Sequence, residues 1–392
     1  MAIPRLKHYQ GPALLSYGYR PFFLFGSLYA GISIFLWLPL FYGELSIASQ
    51  FAPVDWHIHE MFFGFLAAVV TGFLFTAIPN WTGRMPIQGT PLLLLVLLWA
   101  IGRAAVTFSS YIGWLPAMIV DLIFLATILV VLVNEIIAGK NWQNLKVLMP
   151  LGLLLAANAG FHLEAHYFGL SDISRRVAMA AVILLIMLIG GRIIPSFTRN
   201  WLVRNNPGRL PVPFNRFDVA AIVIAALAFV SWIVTDLATV SGFLMLLAAA
   251  FHFIRLFRWA GYRALKDPLV LVLHLSYLFI PIGFTLLGLA GFFPDFFSPL
   301  AGIHALGTGA IGSMTLSVML RATLGHSGQP LRAGRSAKFI FAFIFLAAFT
   351  RLAAEFDIDQ YNLLLPFSAL VWFLAFTGFS IFYAPLFLRK KS

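Results

Sequence analysis

The sequence predicts an all-α fold, a polytopic membrane helix bundle of about twelve transmembrane helices forming a single transmembrane domain over residues 1–392. Three observations predict it. First, 61% of the residues are hydrophobic and only 10% charged, whereas a soluble domain is near half apolar and a quarter charged. Second, apolar stretches of about 20 residues, the length a helix needs to cross the hydrocarbon, recur along the whole chain. Third, Lys and Arg concentrate in alternate loops between those stretches, as orientation by positive charge requires.

The elements follow in order. Residues 1–20 are polar, carry Arg5, Lys7 and Arg20, and lack a small-residue cleavage site, so no cleaved signal peptide is expected. Spans are expected at about 22–42, 57–79, 91–109, 115–138, 147–168, 175–197, 215–237, 240–258, 268–293, 298–322, 336–355 and 364–387. Pro39, Pro79, Pro91, Pro150, Pro195, Pro268, Pro294 and Pro366 mark their ends. The longest loop, about 198–214, is a short basic segment rather than a soluble domain.

With the N-terminus in the cytoplasm, all of the 26 Lys and Arg lie inside except Arg103, Arg175, Arg176 and Arg351. Glu44, Asp55, Glu60, Asp172, Asp236, Asp295, Glu355, Asp357 and Asp359 fall outside. The alternation survives only for an even helix count with both termini cytoplasmic. It also accounts for the net charge of +12, so the lipid bilayer, not nucleic acid, is the expected partner. The absence of cysteine excludes disulfides, thiolate ligands, iron–sulfur clusters and c-type haem attachment.

Two helix ends are alike. Helix 2 ends Ile78-Pro79-Asn80-Trp81-Thr82 and helix 6 ends Ile194-Pro195-Ser196-Phe197-Thr198; helix 10 ends Arg321-Ala322-Thr323 without the proline. Three four-helix pseudo-repeats are one reading; the common use of Pro, Thr and Arg at helix ends is the other. Helices 2 and 10 also carry small residues at every fourth position, Gly64, Ala68 and Gly72 in one and Ala301, Ala305, Gly309, Ser313 and Ser317 in the other. Such stripes serve close helix packing, and would equally leave room for a flat macrocycle.

Polar groups within spans are costly and mark function. Trp56-His57-Ile58-His59-Glu60-Met61 opens helix 2, Asn158, His162 and His166 form a stripe on helix 5, and His304 opens helix 10, all toward the outer side. His252, His274 and His326 lie toward the cytoplasm. Imidazole is the usual axial ligand of b-type haem and the commonest metal ligand. His57 and His59 point in nearly opposite directions on a regular helix: either one ligates haem while the other meets a second metal, a propionate or water, or an irregular first turn lets both act together. His304 is the partner across the bundle. His162 and His166 share a face suited to copper or zinc. His252 is expected to hydrogen-bond a neighbouring helix and His8 to be solvated. Arg103, Arg175, Arg176 and Arg351 suit haem propionates, or else the local acids Asp172 and Glu355. Asp121 and Glu135 either relay protons or are buried hydrogen-bonded carboxyls. No nucleotide, zinc-protease or serine-hydrolase motif is present.

Several stretches resemble the NnrS family: Gly18-Tyr19-Arg20-Pro21-Phe22-Phe23, Trp56 to Met61, Pro79 to Arg84, Gly191 to Thr198, and His304-Ala305-Leu306 through to Arg321-Ala322-Thr323-Leu324-Gly325-His326-Ser327-Gly328. The resemblance covers essentially the whole chain. It implies a multi-pass protein of the bacterial inner membrane, containing haem and copper and tied to nitric oxide metabolism and resistance to nitrosative stress. The family's motif histidines map onto His57, His59, His274, His304 and His326. The twelve-helix plan is also similar to the catalytic subunits of haem–copper oxidases and nitric oxide reductases, where helices 2, 6, 7 and 10 supply metal ligands; here only helices 2 and 10 of that set carry histidine.

The expectation is therefore a haem b redox protein that reduces nitric oxide like a nitric oxide reductase. His57 or His59 would pair with His304 as axial ligands, Arg103, Arg175 and Arg176 would hold propionates, and copper would occupy histidines among His57, His59, His162, His274, His304 and His326. Electrons would come from quinol or another donor and protons through Glu60 or Asp121. A transporter or channel for copper or another small species, and a haem-based nitric oxide sensor or scavenger, are the alternatives.

Overall fold

A computed structural model describes residues 9–389. The expectations for Arg5, Lys7, His8, Lys390 and Lys391, and for a leader, fall at least partly outside the described residues. The protein is 81% helical, without strands among those residues. Among the described residues, twelve helices are long and apolar enough to cross a membrane: α1 (Tyr19–Phe41), α2 (Pro53–Thr82), α3 (Thr90–Thr107), α4 (Trp114–Ala138), α5 (Trp142–Phe168), α6 (Asp172–Asn205), α7 (Arg216–Thr235), α8 (Thr239–Arg263), α9 (Pro268–Phe292), α10 (Pro299–His326), α11 (Arg335–Phe356) and α12 (Tyr361–Leu388). Each matches one expected span. The chain is a multi-pass, all-α membrane protein.

One end differs from the sequence reading. Helix α6 runs through Pro195 to Asn205, whereas α2 runs through Pro79 and ends at Thr82, within the helix-end motif read there. A proline removes one donor from the ladder without ending it when the other turns stay bonded. The loop after α6 is correspondingly shorter than expected.

The chain's contacts divide it into two compact units. One takes in α1 to α5 with the start of α6 through Ala178, Ala322–Gln329 at the end of α10, and α12 from Phe376 onward; the other comprises Met179–Arg321 and Pro330–Ala375.

In the first unit, α1 packs on α2 along the small-residue stripe. A Cβ on Gly26 would stand 3.2 Å from the Ala68 Cβ, and one on Gly72 would meet the Phe22 and Phe23 side chains at 2.9–3.0 Å. The stripe is thus filled by α1 and leaves no room for a macrocycle there. Arg20 is buried, and its Nη1 donates to the carbonyls of Phe387 at 3.1 Å and Arg389 at 2.9 Å. It supplies the donor and the positive charge that the C-terminus of α12 lacks. Phe35, Val130 and Met149 are exposed, as a lipid-facing surface requires.

In the second unit α10 packs on α9: a Cβ on the stripe residue Gly309 would overlap the Phe279 ring, and one on Gly302, outside the stripe, would meet Leu287. A separate polar group is buried here. Arg255 on α8 donates from Nε to Asp218 Oδ1 on α7 at 2.8 Å and from Nη1 to the Tyr277 hydroxyl on α9 at 2.7 Å. The tyrosine hydroxyl thus accepts from the arginine and donates to His252 Nδ1 at 2.8 Å. His252 Nε2 then carries the proton and donates to the Ala221 carbonyl at 3.2 Å. His252 bonds neighbouring helices, as the sequence reading expected.

Candidate metal centre

The first unit gathers several of the predicted site residues in one place. The regular turn of α2 gives way to a π-helical turn over Glu60–Leu66, immediately after His59. Such a turn re-aims side chains and recurs at functional sites. Here both His59 and Glu60 are turned inward and fully buried. The Trp99 indole of α3 donates to the Gly64 carbonyl inside that turn at 2.9 Å. Gly64 is needed at this point: a Cβ would stand 2.7 Å from Glu60 Oε2, 2.8 Å from the Tyr29 ring and 3.2 Å from Arg103 Cδ.

Arg103 on α3 is the hub. Its Nη1 donates to both oxygens of Glu60 at 2.8 Å, and its Nη2 pairs with Asp121 Oδ1 on α4. The Tyr29 hydroxyl of α1 donates to Glu60 Oε2. From α5, Asn158 Nδ2 donates to Asp121 Oδ2 at 2.8 Å, and His162 Nε2 lies 3.3 Å from the same oxygen. Because Asp121 only accepts, the Asn158 amide nitrogen must face it, and the amide oxygen therefore faces His59 Nε2 at 3.0 Å.

His59 thus has acceptors on both sides. Nδ1 faces Glu60 Oε1 at 3.0 Å, and Nε2 faces Asn158 Oδ1 at 3.0 Å and Asp121 Oδ2 at 3.2 Å. A neutral imidazole carries one proton and satisfies only one side. Two carboxylates against one guanidinium also leave one negative charge over. A buried cluster needs that charge compensated, either by a proton on His59 or by a metal ion.

His59, Asp121 and His162 are, among the described residues, the one group of three or more His, Asp or Glu whose ligand atoms lie close enough to hold an ion, all within 4.8 Å of one another. Two imidazole nitrogens and a carboxylate oxygen fit a first-row metal ion such as copper. Haem does not fit this place. The rings of Phe51, Phe63, Phe161 and His162 stand 4.9, 4.9, 5.3 and 5.1 Å from the His59 ring, which leaves no space for a macrocycle. The arginines expected on propionates meet protein carboxylates instead: Arg103 as above, Arg175 and Arg176 on Asp172, and Arg351 on Glu355.

The remaining predicted residues lie elsewhere. His57 stacks on Trp37 at 4.4 Å, turned away from His59. His304 belongs to the second unit and donates from Nδ1 to the Leu300 carbonyl at 2.8 Å; a second π-helical turn, Ala305–Gly312, follows it. His274, also in the second unit, donates from Nε2 to Thr198 Oγ1 at 2.8 Å, since that hydroxyl spends its own proton on the Ile194 carbonyl. His326 packs on Tyr19 at 5.5 Å and Tyr17 at 6.2 Å. Glu135 pairs with Arg84 at 2.6 Å rather than joining Asp121. Tyr29 escaped the sequence reading, because one tyrosine in an aromatic-rich span carries no signal of its own.

Beside the cluster lies a pocket of about 280 Å³ lined by Gln50, Phe51, Ser109, Trp114, His162, Ala165 and His166. His166 stacks on Trp114 at 4.2 Å. The pocket lies at the end of the first unit where α1 joins α2 and α3 joins α4, the end that the charge pattern predicts to be outermost.

The family model for NnrS protein matches residues 13–391, and the chain belongs to the NnrS family. Among curated proteins, none matches it.

Proposed function

From its place in the NnrS family we propose that this membrane protein acts on nitric oxide as a redox protein, with the Glu60–Arg103–Asp121 cluster as the acid–base part of its site. The observation that carries this reading is the burial of two carboxylates and two histidines around one arginine, within helices that are otherwise apolar. Ionisable groups so placed are functional before they are structural.

Reduction joins two nitric oxide molecules with two electrons and two protons to give nitrous oxide and water. Quinol is the proposed electron source. A metal ion such as copper, held by His59, Asp121 and His162, would supply the redox chemistry. The chain itself handles protons. With His59, Asp121 and His162 engaged by the ion, the group left to give and take a proton is Glu60, which faces His59 Nδ1 with one oxygen and accepts from the Tyr29 hydroxyl with the other. Arg103 holds both carboxylates in place and keeps them charged between transfers. Haem b, implied by the family, has no seat in this cluster and takes no part in these steps.

The test is anaerobic nitric oxide consumption by purified protein with a quinol donor, with nitrous oxide measured alongside. Wild type consumes nitric oxide above a protein-free control, and Glu60→Gln and Asp121→Asn slow it at least about a hundredfold, the usual contribution of a positioned proton donor. Wild-type consumption no faster than the control overturns the reading. A Soret band in the same preparation would locate haem elsewhere in the chain.

A further inference from the structure

We propose that His59 Nε2, His162 Nε2 and Asp121 Oδ2 are the protein ligands of one first-row divalent metal ion, and that the ion enters through the pocket lined by Gln50, Trp114 and His166, past the Phe51 ring. The inference concerns ion binding and does not depend on the nitric oxide reading.

Spacing comes first. Asp121 Oδ2 lies 3.2 Å from His59 Nε2 and 3.3 Å from His162 Nε2. An ion held at about 2.0–2.2 Å by tetrahedral ligands needs donors about 3.4 Å apart. The carboxylate oxygen is already near that separation from each imidazole nitrogen, and all three ligand atoms lie within 4.8 Å of one another.

Charge is the second argument. The cluster has one uncompensated negative charge, and its single guanidinium is already shared by both carboxylates. A dication takes the place of the proton that His59 Nε2 otherwise carries and moves the net charge of the cluster from −1 to +1. The donor set then selects the class. Two imidazoles with one carboxylate favour zinc, copper(II), cobalt, iron(II) and manganese over magnesium and calcium, which take oxygen.

The supporting shell is present. Metal-bound histidines characteristically donate their other nitrogen to a carboxylate, which fixes the ring. His59 Nδ1 donates to Glu60 Oε1 at 3.0 Å. Asp121 is held by Arg103 on one oxygen and by Asn158 on the other.

The route is the last element. His162 is a wall of the pocket and a ligand at once, so the pocket reaches the site directly. The Phe51 ring stands 4.9 Å from His59 and 5.0 Å from His162. It belongs to the segment between α1 and α2 and lines the pocket against both histidines. His166, one turn along α5 from His162, offers an imidazole on the pocket wall where an incoming ion can first rest.

The test uses full-length protein in detergent, stripped with chelator and reloaded with cobalt(II) or copper(II). One cobalt per chain is expected, with visible d–d bands. His162→Ala and Asp121→Asn lower cobalt affinity more than about tenfold, the least expected when even a supporting group is lost. His252→Ala and His274→Ala, in the second unit, leave it unchanged. Phe51→Ala speeds loading without changing the final stoichiometry. Wild type itself supplies a variant-free readout: copper(II) bound here shows nitrogen hyperfine coupling to two imidazoles. Folded wild type that takes up no ion, or couples copper to a number of imidazoles other than two, overturns the site, as does unchanged affinity in folded His162→Ala or Asp121→Asn. An unchanged loading rate in Phe51→Ala overturns the route. Ion binding without nitric oxide turnover overturns only the proposed function; turnover with the triad emptied overturns the redox role given to the ion and leaves its binding standing.

Discussion

Arg103 in the first unit and Arg255 in the second are both buried among side chains of other helices, and the two are satisfied differently. In the second unit Arg255 faces one carboxylate, Asp218. Tyr277 accepts from the arginine and donates to His252, which in turn donates to a backbone carbonyl. Charge is balanced one to one, and the chain of donors ends on the peptide backbone. In the first unit Arg103 faces two carboxylates, and His59 meets acceptors on both sides. That cluster closes only when something positive is added. The second unit's network is therefore balanced in charge and ties α7, α8 and α9 together, with one buried nitrogen of Arg255, Nη2, outside the hydrogen-bonded chain. The first unit's cluster has a position for a proton or an ion, and a pocket reaches one of its members. A balanced buried network holds helices together; an unbalanced one with access from outside has chemistry to do.

Substitutions can break or sharpen this contrast, and they should rank in a definite order. Arg103→Met leaves two buried carboxylates facing each other. It should cost about 3–5 kcal/mol or more, read as loss of folded protein or a lowered unfolding transition in detergent. Asp218→Asn turns the balanced network into an unbalanced one by stranding Arg255, and should cost up to about 3–5 kcal/mol by the same measurement. Should Asp218→Asn prove harmless, the second unit's charge balance would not be what stabilises it. Gly191→Ala is next. A Cβ there would overlap Arg255 Nη2, so overpacking of about 1–3 kcal/mol is expected, and Arg255→Met in the same chain should relieve the clash. The smallest effect belongs to Glu60→Gln. It removes the surplus negative charge while keeping an acceptor for Arg103, so stability without metal should change by about 1 kcal/mol or less, while cobalt affinity falls. A large loss of metal-free stability in Glu60→Gln would show that the surplus charge was already compensated.

Much of the architecture was legible in the residues. Span length and loop charge mark all twelve helices, with α6 running eight residues past its expected end at 197, because the bilayer demands about 20 apolar residues for each crossing and the backbone has no alternative partner there. The site was partly legible. Glu60, His59, Arg103, Asp121 and His162 all stand out as polar groups in apolar helices. Their grouping did not stand out. His57 and His59 look equivalent in sequence, yet the helix sends one to Trp37 and the other into the cluster. Asp121 looked like a proton relay and proves to be the atom nearest both histidines. The arginines expected on propionates are taken by protein acids: Arg175 and Arg176 by Asp172 within one turn, Arg351 by Glu355 four residues on, and Arg103 by residues from two other helices.

What opened as a run of apolar segments with histidines in them thus divides cleanly. The sequence by itself determined that the chain is helical, that it has twelve membrane-spanning segments, and which few polar residues those segments must accommodate, since hydropathy and charge act locally along the chain. Only the tertiary structure decided which of those residues meet. The π-helical turn at Glu60 and the close approach permitted by Gly64 bring His59 and Glu60 of α2 against residues of α1, α3, α4 and α5. Hydrogen bonds and metal coordination depend on that meeting, and no pattern of spacing along a single helix carries it.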